Sequence, residues 1–494
     1  MLSSFPAVSA TLFVPLLGAA LLVLGRGLPA RGAHAVGIVV SGLALAGSLV
    51  MWVRGVGGAG FSQVEEIEWI PSLGAAYRVG VDGISLPLVL LTTLLFFLSF
   101  VFSAHIAQRA RAYVALMLLM ETACLGVFVA LDAVLFYVFF EVSLVGMYFI
   151  IAGWGYAERQ KAALTFFLYT LLGSLPLLLA ILALYLASDP RTFDMRAYIE
   201  SPPLAGAAAM LALVAMLVTF AVKTPVFPVH TWLPLAHTEA PTAGSVILAG
   251  VMLKLGTYGL VRFALQMTPE AFRAAAPYVV ALGVFSALYG AFVALAQTDL
   301  KRLVAYTSVN HMGYVVVAVA VAAAAAGAET RALALDGAVL QMVSHGLVTG
   351  ALFLIVGMLQ ERAHTREMGE FGGLLRSTPV LGWTFVLAAF ASLGLPGLAH
   401  FPAEFQIFLS TLAVYPAAVV VVLGIAVTAG LYLRALYVAF LGEPPKGGYG
   451  FPELGARELL ALVPLLVLVV LVGVAPSLVL GVVHATTASL GLGG

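Results

Sequence analysis

Fourteen stretches of this chain are apolar over roughly the 20 residues that a helix needs to cross the hydrocarbon core of a bilayer. No other feature constrains the fold as much. They fall at about 6–25, 34–53, 84–104, 112–131, 133–153, 162–187, 204–224, 242–265, 275–297, 303–326, 334–359, 379–410, 413–440 and 457–483. Only 9% of the 494 residues are charged and 62% are hydrophobic, whereas an ordinary soluble domain carries about 25% charge. A soluble protein of this size cannot cover its surface with so few charges. The sequence therefore predicts an all-α polytopic membrane protein with about 14 transmembrane helices. The same scarcity of charge excludes a nucleic-acid binder, which needs a basic face. The apolar start lacks a basic leader and reads as a first span, not a cleaved signal.

Two of the spans cannot be plain helices. The seventh runs into Lys223-Thr-Pro-Val-Phe-Pro-Val-His230, where Pro225 and Pro228 interrupt the hydrogen-bond ladder. The twelfth holds Gly394-Leu-Pro-Gly397 and Pro402 and is too long for one straight helix. The breaks lie five spans apart. That predicts two five-helix repeats, spans 4–8 and 9–13, inverted because five is odd. Inverted repeats with broken helices at matching places are a transporter signature. The expected organisation is a single membrane domain over 1–494. It comprises three N-terminal helices (1–110), a first repeat (111–270), a second repeat (271–441) and a C-terminal helix (442–494).

Lys and Arg in the loops set the orientation, since they favour the cytoplasmic side. With the N-terminus outside, thirteen of the 23 cations fall on the inner side, among them Arg26, Arg109, Lys301, Arg302, Arg362 and Lys446. Seven fall on the outer side or at span ends, including Arg78, Arg196, Arg262 and Arg331, and three lie within spans. An even number of spans puts both termini on the outer face, in agreement with this bias.

The charged residues inside the spans carry the chemistry. Each costs about 3 kcal/mol at the bilayer centre, and such groups mark ion pathways. They are Glu121, Glu141, Lys223, Lys254, His311, Asp336, His345, Glu404 and Arg434. A Glu141–Lys223 pair whose separation changes is a proton switch, because each group takes or releases a proton according to its partner. The plain alternative is a static ion pair that fixes helix register. Lys254 has no acidic neighbour within two helical turns and suits a proton carrier. His311 and His345 are relay groups by chemistry, and Glu404 after the second break would be the far terminal. A metal site is not expected, since no carboxylate or Cys stands near the two histidines at ligand spacing. Glu121 and Asp336 read as auxiliary or structurally paired. Asp132 reads as a helix cap, and Arg434 as a partner for a carboxylate near the inner face. His230, His237 and Glu239 lie in a Pro-rich loop, either feeding protons inward or simply solvated. Cys124 is the single cysteine, which rules out a cysteine-rich zinc site or an iron–sulfur cluster. No nucleotide-binding motif occurs, so no cofactor is expected in this chain.

Several long motifs point further. They are Phe-Phe-Glu141 with Met147-Tyr-Phe, then Phe220-Ala-Val-Lys223-Thr-Pro-Val-Phe-Pro-Val-His-Thr-Trp-Leu-Pro234 and Ala236-His-Thr-Glu-Ala-Pro-Thr-Ala-Gly-Ser-Val246. Asp299-Leu-Lys-Arg-Leu-Val-Ala-Tyr-Thr-Ser-Val-Asn-His311-Met-Gly, Gln341-Met-Val-Ser-His345-Gly and Gly394-Leu-Pro-Gly-Leu-Ala-His-Phe-Pro-Ala-Glu404-Phe follow. Over about 80–480 the chain resembles the antiporter-like subunits of respiratory complex I, the NADH:quinone oxidoreductase. Within that family it is similar to the M-type branch. Glu404 stands where L-type subunits and several antiporter chains have Lys, and the chain stops soon after span fourteen, where L-type chains add a lateral helix. The resemblance implies a role for each matching residue. Glu141 and Lys223 would be the coupling pair, Lys254 the central carrier, His311 and His345 relay groups, and Glu404 the outlet. It also implies L- and N-type and small membrane-arm subunits as partners, a lipid bilayer around the chain, and a bacterial inner membrane. A subunit of a multi-subunit Na⁺/H⁺ antiporter and a purely structural scaffold are the alternatives.

Overall fold

The computed structural model describes residues 6–25, 27–58, 60–444, 449–450 and 452–490. Arg26 and Lys446, both counted on the inner side above, lie outside the described residues. Among the described residues thirteen helices are long and apolar enough to cross a membrane. The twelfth expected span is not among them because it is divided into Pro379–Ser392 and His400–Val414. The seventh is also divided. Its long half, Gly206–Lys223, is followed by a non-helical stretch over 224–231 and the short helix Trp232–Glu239. Proline has no N–H to continue the ladder and strands carbonyls behind it. One of these, that of Val222, accepts from Trp232 Nε1 at 3.0 Å.

Two boundaries differ from the expectation. The eleventh span is the continuous 36-residue helix Ala328–Ala363. At 1.5 Å per residue it is about 54 Å long, well beyond the roughly 30 Å hydrocarbon core. The fourteenth ends at Val474, and Pro476 separates it from a further helix, Ser477–Thr487. The all-α reading also missed a small sheet. Strands β1 (Ser62–Ile70) and β2 (Ala75–Val81) form an antiparallel hairpin. Their alternation is short and sits between two far stronger apolar runs.

The hairpin marks one end of the bundle. Val79 bridges to Ala130 and Asp132 to Asp194. Asp132 caps the fifth span, Ala133–Trp154, by accepting from the Val134 and Leu135 amides. It also accepts from Arg78 Nη1 at 3.0 Å, so the cap and the sheet share one carboxylate. At the opposite end Tyr156 N donates to Glu239 O, and Arg366 Nε lies 3.0 Å from Asp299 Oδ2.

The helices differ sharply in burial. Every residue in the apolar windows of Thr242–Leu265 and Ala328–Ala363 is buried, as is 94% of that of Leu300–Ala324. A helix hydrophobic all round belongs in the interior. Lys254, His311 and His345 lie on these helices, and each is buried against protein.

Candidate functional site

Lys254 is fully buried, with 0% exposure. It sits on the α-helical turn Leu253–Gly259, between two π-helical stretches, Leu248–Met252 and Leu260–Leu265. A π-helical turn shifts backbone carbonyls out of the ordinary ladder and recurs at functional sites. Here the Ala249 carbonyl accepts from Lys254 Nζ at 2.5 Å. The second partner of Nζ is His345 Nδ1, at 2.6 Å. No carboxylate pairs with Lys254 among the described residues. Amine and imidazole are in direct hydrogen-bond contact, a geometry in which a proton can be shared without a carrier.

His345 opens onto a cluster. Its ring centroid is 5.7 Å from that of His311 and 6.3 Å from that of His400, and the His311 and His400 rings are 4.5 Å apart. Beyond them Glu404 Oε1 lies 3.8 Å from His311 Nε2. All four side chains are buried. The helix break supplies a backbone group that orients two of the rings. Ser392 ends Pro379–Ser392, so its carbonyl has no helical partner. It faces His311 Nε2 at 3.1 Å and His400 Nδ1 at 3.4 Å. A carbonyl only accepts, so these nitrogens carry the N–H. Gly394 makes room for the carboxylate. Its φ is +80°, and a Cβ there would sit 2.6 Å from Glu404 Oε2, so glycine is required on both counts.

The structure thus brings Lys254, His345, His311 and Glu404 together and adds His400, which the sequence reading did not single out. A signal was present. His400 precedes Glu404 by four residues in the same motif, which places both on one face of a helix.

Glu141 and Lys223 form no ion pair. Lys223 is buried, with Nζ 4.7 Å from the centroid of the Phe140 ring. Glu141 Oε1 is buried without a hydrogen-bond partner. The break beside Lys223 packs directly on the helix of Lys254. A Cβ on Gly256 would lie 2.5 Å from Thr224 Oγ1 and 3.0 Å from the Lys223 carbonyl carbon.

Several single-residue expectations change. Among the described residues Arg434 meets no carboxylate; it donates to the carbonyls of Leu295 and Gln297, at the end of the ninth helix, Pro269–Leu295. Lys301, counted as a loop cation, is buried and donates to Ala240 O at 2.7 Å. Arg262, counted at an outer span end, is buried in an ion pair with Asp82 and flanked by the Phe61 and Tyr258 rings. Glu121 accepts from Ser41 Oγ at 2.9 Å, and Asp336 accepts from Thr487 Oγ1 and lies 2.6 Å from His484 Nδ1. Asp336 is thus structurally paired, whereas the second carboxylate oxygen of Glu121 is buried without a hydrogen-bond partner.

His230, His237 and Glu239 do not stand on an exposed loop surface. Each is buried, and His237 stacks on Phe353 at 4.5 Å with neither ring nitrogen bonded. Glu239 Oε2 accepts from the Glu158 amide at 2.8 Å. A cavity of about 470 Å³ opens at this end, lined by Glu158, His230, Glu239, Asp299, Arg302 and Arg366 among others.

Residues 130–430 match the family described as NADH:quinone oxidoreductase/Mrp antiporter, transmembrane. The chain is 37% identical to the NADH-quinone oxidoreductase subunit M of Rickettsia typhi, over 98% of each protein. It is 39% identical to that of Escherichia coli K12, over 92% of each. A chain in respiratory complex I from Thermus thermophilus with bound NADH superposes with a TM-score of 0.88 at 33% identity, covering 99% of this chain and 100% of that one. A chain of the Mrp complex from Dietzia sp. superposes at 0.85 with 23% identity, over 98% and 97%, which is a likeness of fold alone.

Proposed function

This chain belongs to the NADH:quinone oxidoreductase/Mrp antiporter transmembrane family, and on that premise we propose how its buried residues work. It is a multi-pass, proton-translocating subunit of the M type, in the membrane arm of an NADH:quinone oxidoreductase. Its partners are the other membrane-arm subunits of that complex. In our reading it sits in a bacterial inner membrane with both termini outside. Electron transfer takes place in other subunits, and this chain holds no redox centre or cofactor.

Protons enter from the polar cavity at the Glu239 end and reach Lys254 past His230 and His237. They leave through His345, His400 and His311 to Glu404. The Glu141–Lys223 pair drives the cycle. While Lys223 is unpaired, its charge opposes a second charge on Lys254. Two unit charges about 10 Å apart repel by about 1.7 kcal/mol at an effective dielectric near 20. When Lys223 closes on Glu141 that repulsion is cancelled and Lys254 loads; when the pair opens, the proton is expelled toward His345. Gly256 keeps the two helices close enough for the coupling. The two breaks at Lys223 and before Glu404 fit an inverted five-helix repeat, with one half-path in each repeat.

The observation that carries this reading is the 2.6 Å contact between Lys254 Nζ and His345 Nδ1, buried and without any carboxylate to fix the charge. The test is Lys254→Met in the assembled complex, reconstituted into vesicles. Proton pumping should be lost while the complex still assembles. Full pumping in that variant would sink the assignment.

A further inference from the structure

Beyond proton transfer, three members of the buried cluster have the makings of a coordination site. One ring nitrogen each from His311 and His400 and one carboxylate oxygen of Glu404 lie within 4.8 Å of one another. The three residues are exposed by 1%, 0% and 3%. His311 Nδ1, His400 Nε2 and Glu404 Oε2 have no hydrogen-bond partner in the protein. Buried polar atoms are almost always satisfied, so one unpartnered atom on each of three clustered residues calls for a ligand.

We propose that His311, His400 and Glu404 bind a divalent transition-metal ion of the zinc class. Two imidazoles and one carboxylate are a zinc-type donor set, with bonds of about 2.0–2.2 Å. Calcium and magnesium prefer all-oxygen shells and are disfavoured here. Two ligands on one such ion stand at most about 4.3 Å apart. The cluster, within 4.8 Å, must therefore contract to hold the ion. The Ser392 carbonyl already does what outer groups do around metal-bound histidines: it accepts a ring N–H and fixes the ring. Water would complete the tetrahedron.

Coordination occupies the lone pairs that proton transfer uses. The ion would therefore arrest translocation between His345 and Glu404, a consequence that rests on the function proposed above. The metal site itself does not depend on that reading.

The experiment uses the assembled complex containing this chain, incubated with zinc chloride or with a chelator. Zinc-edge anomalous scattering should show a peak among His311, His400 and Glu404 in the first sample only. In His400→Gln, at least about tenfold more zinc should be needed for the same occupancy, because even outer-shell losses cost 10–100-fold. Should that variant not assemble, Glu404→Gln takes its place, and the wild-type map decides independently. Zinc bound elsewhere with no peak here would overturn the proposal, as would equal occupancy in the ligand variant. If pumping continues with the site filled, the relay role of these residues fails and the metal site stands.

Discussion

Gly256 packs against Thr224 so closely that one added methyl group would lie 2.5 Å from Thr224 Oγ1 and 2.7 Å from the Thr224 backbone nitrogen. Glycine inside a helix costs roughly 1 kcal/mol relative to alanine, so its presence here reflects the contact. The contact joins the break after Lys223 to the turn that holds Lys254. Gly256→Ala should force the two helices apart and cost about 1–3 kcal/mol through overpacking. It should lower proton pumping more than it lowers quinone reduction driven through the rest of the complex. The ratio of protons pumped to NADH oxidised, measured in vesicles, checks this; an unchanged ratio rejects the coupling role.

Arg262 and Asp82 make a different kind of contact. Both are buried, and Asp82 also accepts from the Ile84 and Ser85 amides. The Gly83 amide between them donates to Thr486 Oγ1, so the ion pair anchors the third and eighth spans and the terminal helix at one point. Removing one partner of a buried pair leaves an uncompensated charge and costs about 3–5 kcal/mol. Asp82→Ala should therefore impair assembly, seen as loss of the chain from the complex in native gels. Replacement of both residues by apolar side chains should restore it.

These two sites show how legible the sequence was. The spans, both breaks and most of the relay residues follow from local rules, because apolar length, proline chemistry and charges in apolar runs need no tertiary information. Three-dimensional packing decided the remainder. Nothing local tells that Arg262 and Lys301 are buried while other span-end cations are not. The pairing of Arg262 with Asp82 spans 180 residues. His400 escaped notice because the break motif drew attention to its glycines, prolines and Glu404. The hairpin escaped because its two short strands lie beside long apolar helices. That Glu141 and Lys223 stand apart was also beyond the sequence, which names the partners and not their state.

A pH effect is expected at the end of the bundle opposite the hairpin. His105 Nε2 lies 3.6 Å from Glu361 Oε2, and the carboxylate beside it raises the imidazole pKa above its usual value near 6.5. A histidine whose folded pKa is raised stabilises the fold when protonated. That contribution is complete below about pH 6.5 and is lost as the pH climbs through the raised value. His105→Ala should therefore lower thermal stability most at about pH 5.5 and hardly at all at about pH 8.5. Melting curves of the complex across that range test it; a difference that grows with pH would contradict the assignment.

The open Glu141–Lys223 pair leads to the last expectation. A static ion pair would be closed at rest, and losing it would damage the fold. In this structure the two residues make no ion pair, and Glu141 Oε1 has no hydrogen-bond partner. Glu141→Gln keeps the volume and removes only the charge, so assembly and stability should stay close to wild type. The cost should fall on turnover. Two opposite charges meeting at about 5 Å attract by about 3 kcal/mol at an effective dielectric near 20. What reaches Lys254 is the repulsion of about 1.7 kcal/mol that closure cancels, so losing the pair slows pumping by roughly twentyfold. Lys223→Met should do the same, and the double variant should be no worse than either single one, because both remove one event. Pumping rates in vesicles, with assembly monitored in parallel, decide the matter: normal pumping by either variant, or additive losses in the double, would show that the pair does not drive the cycle.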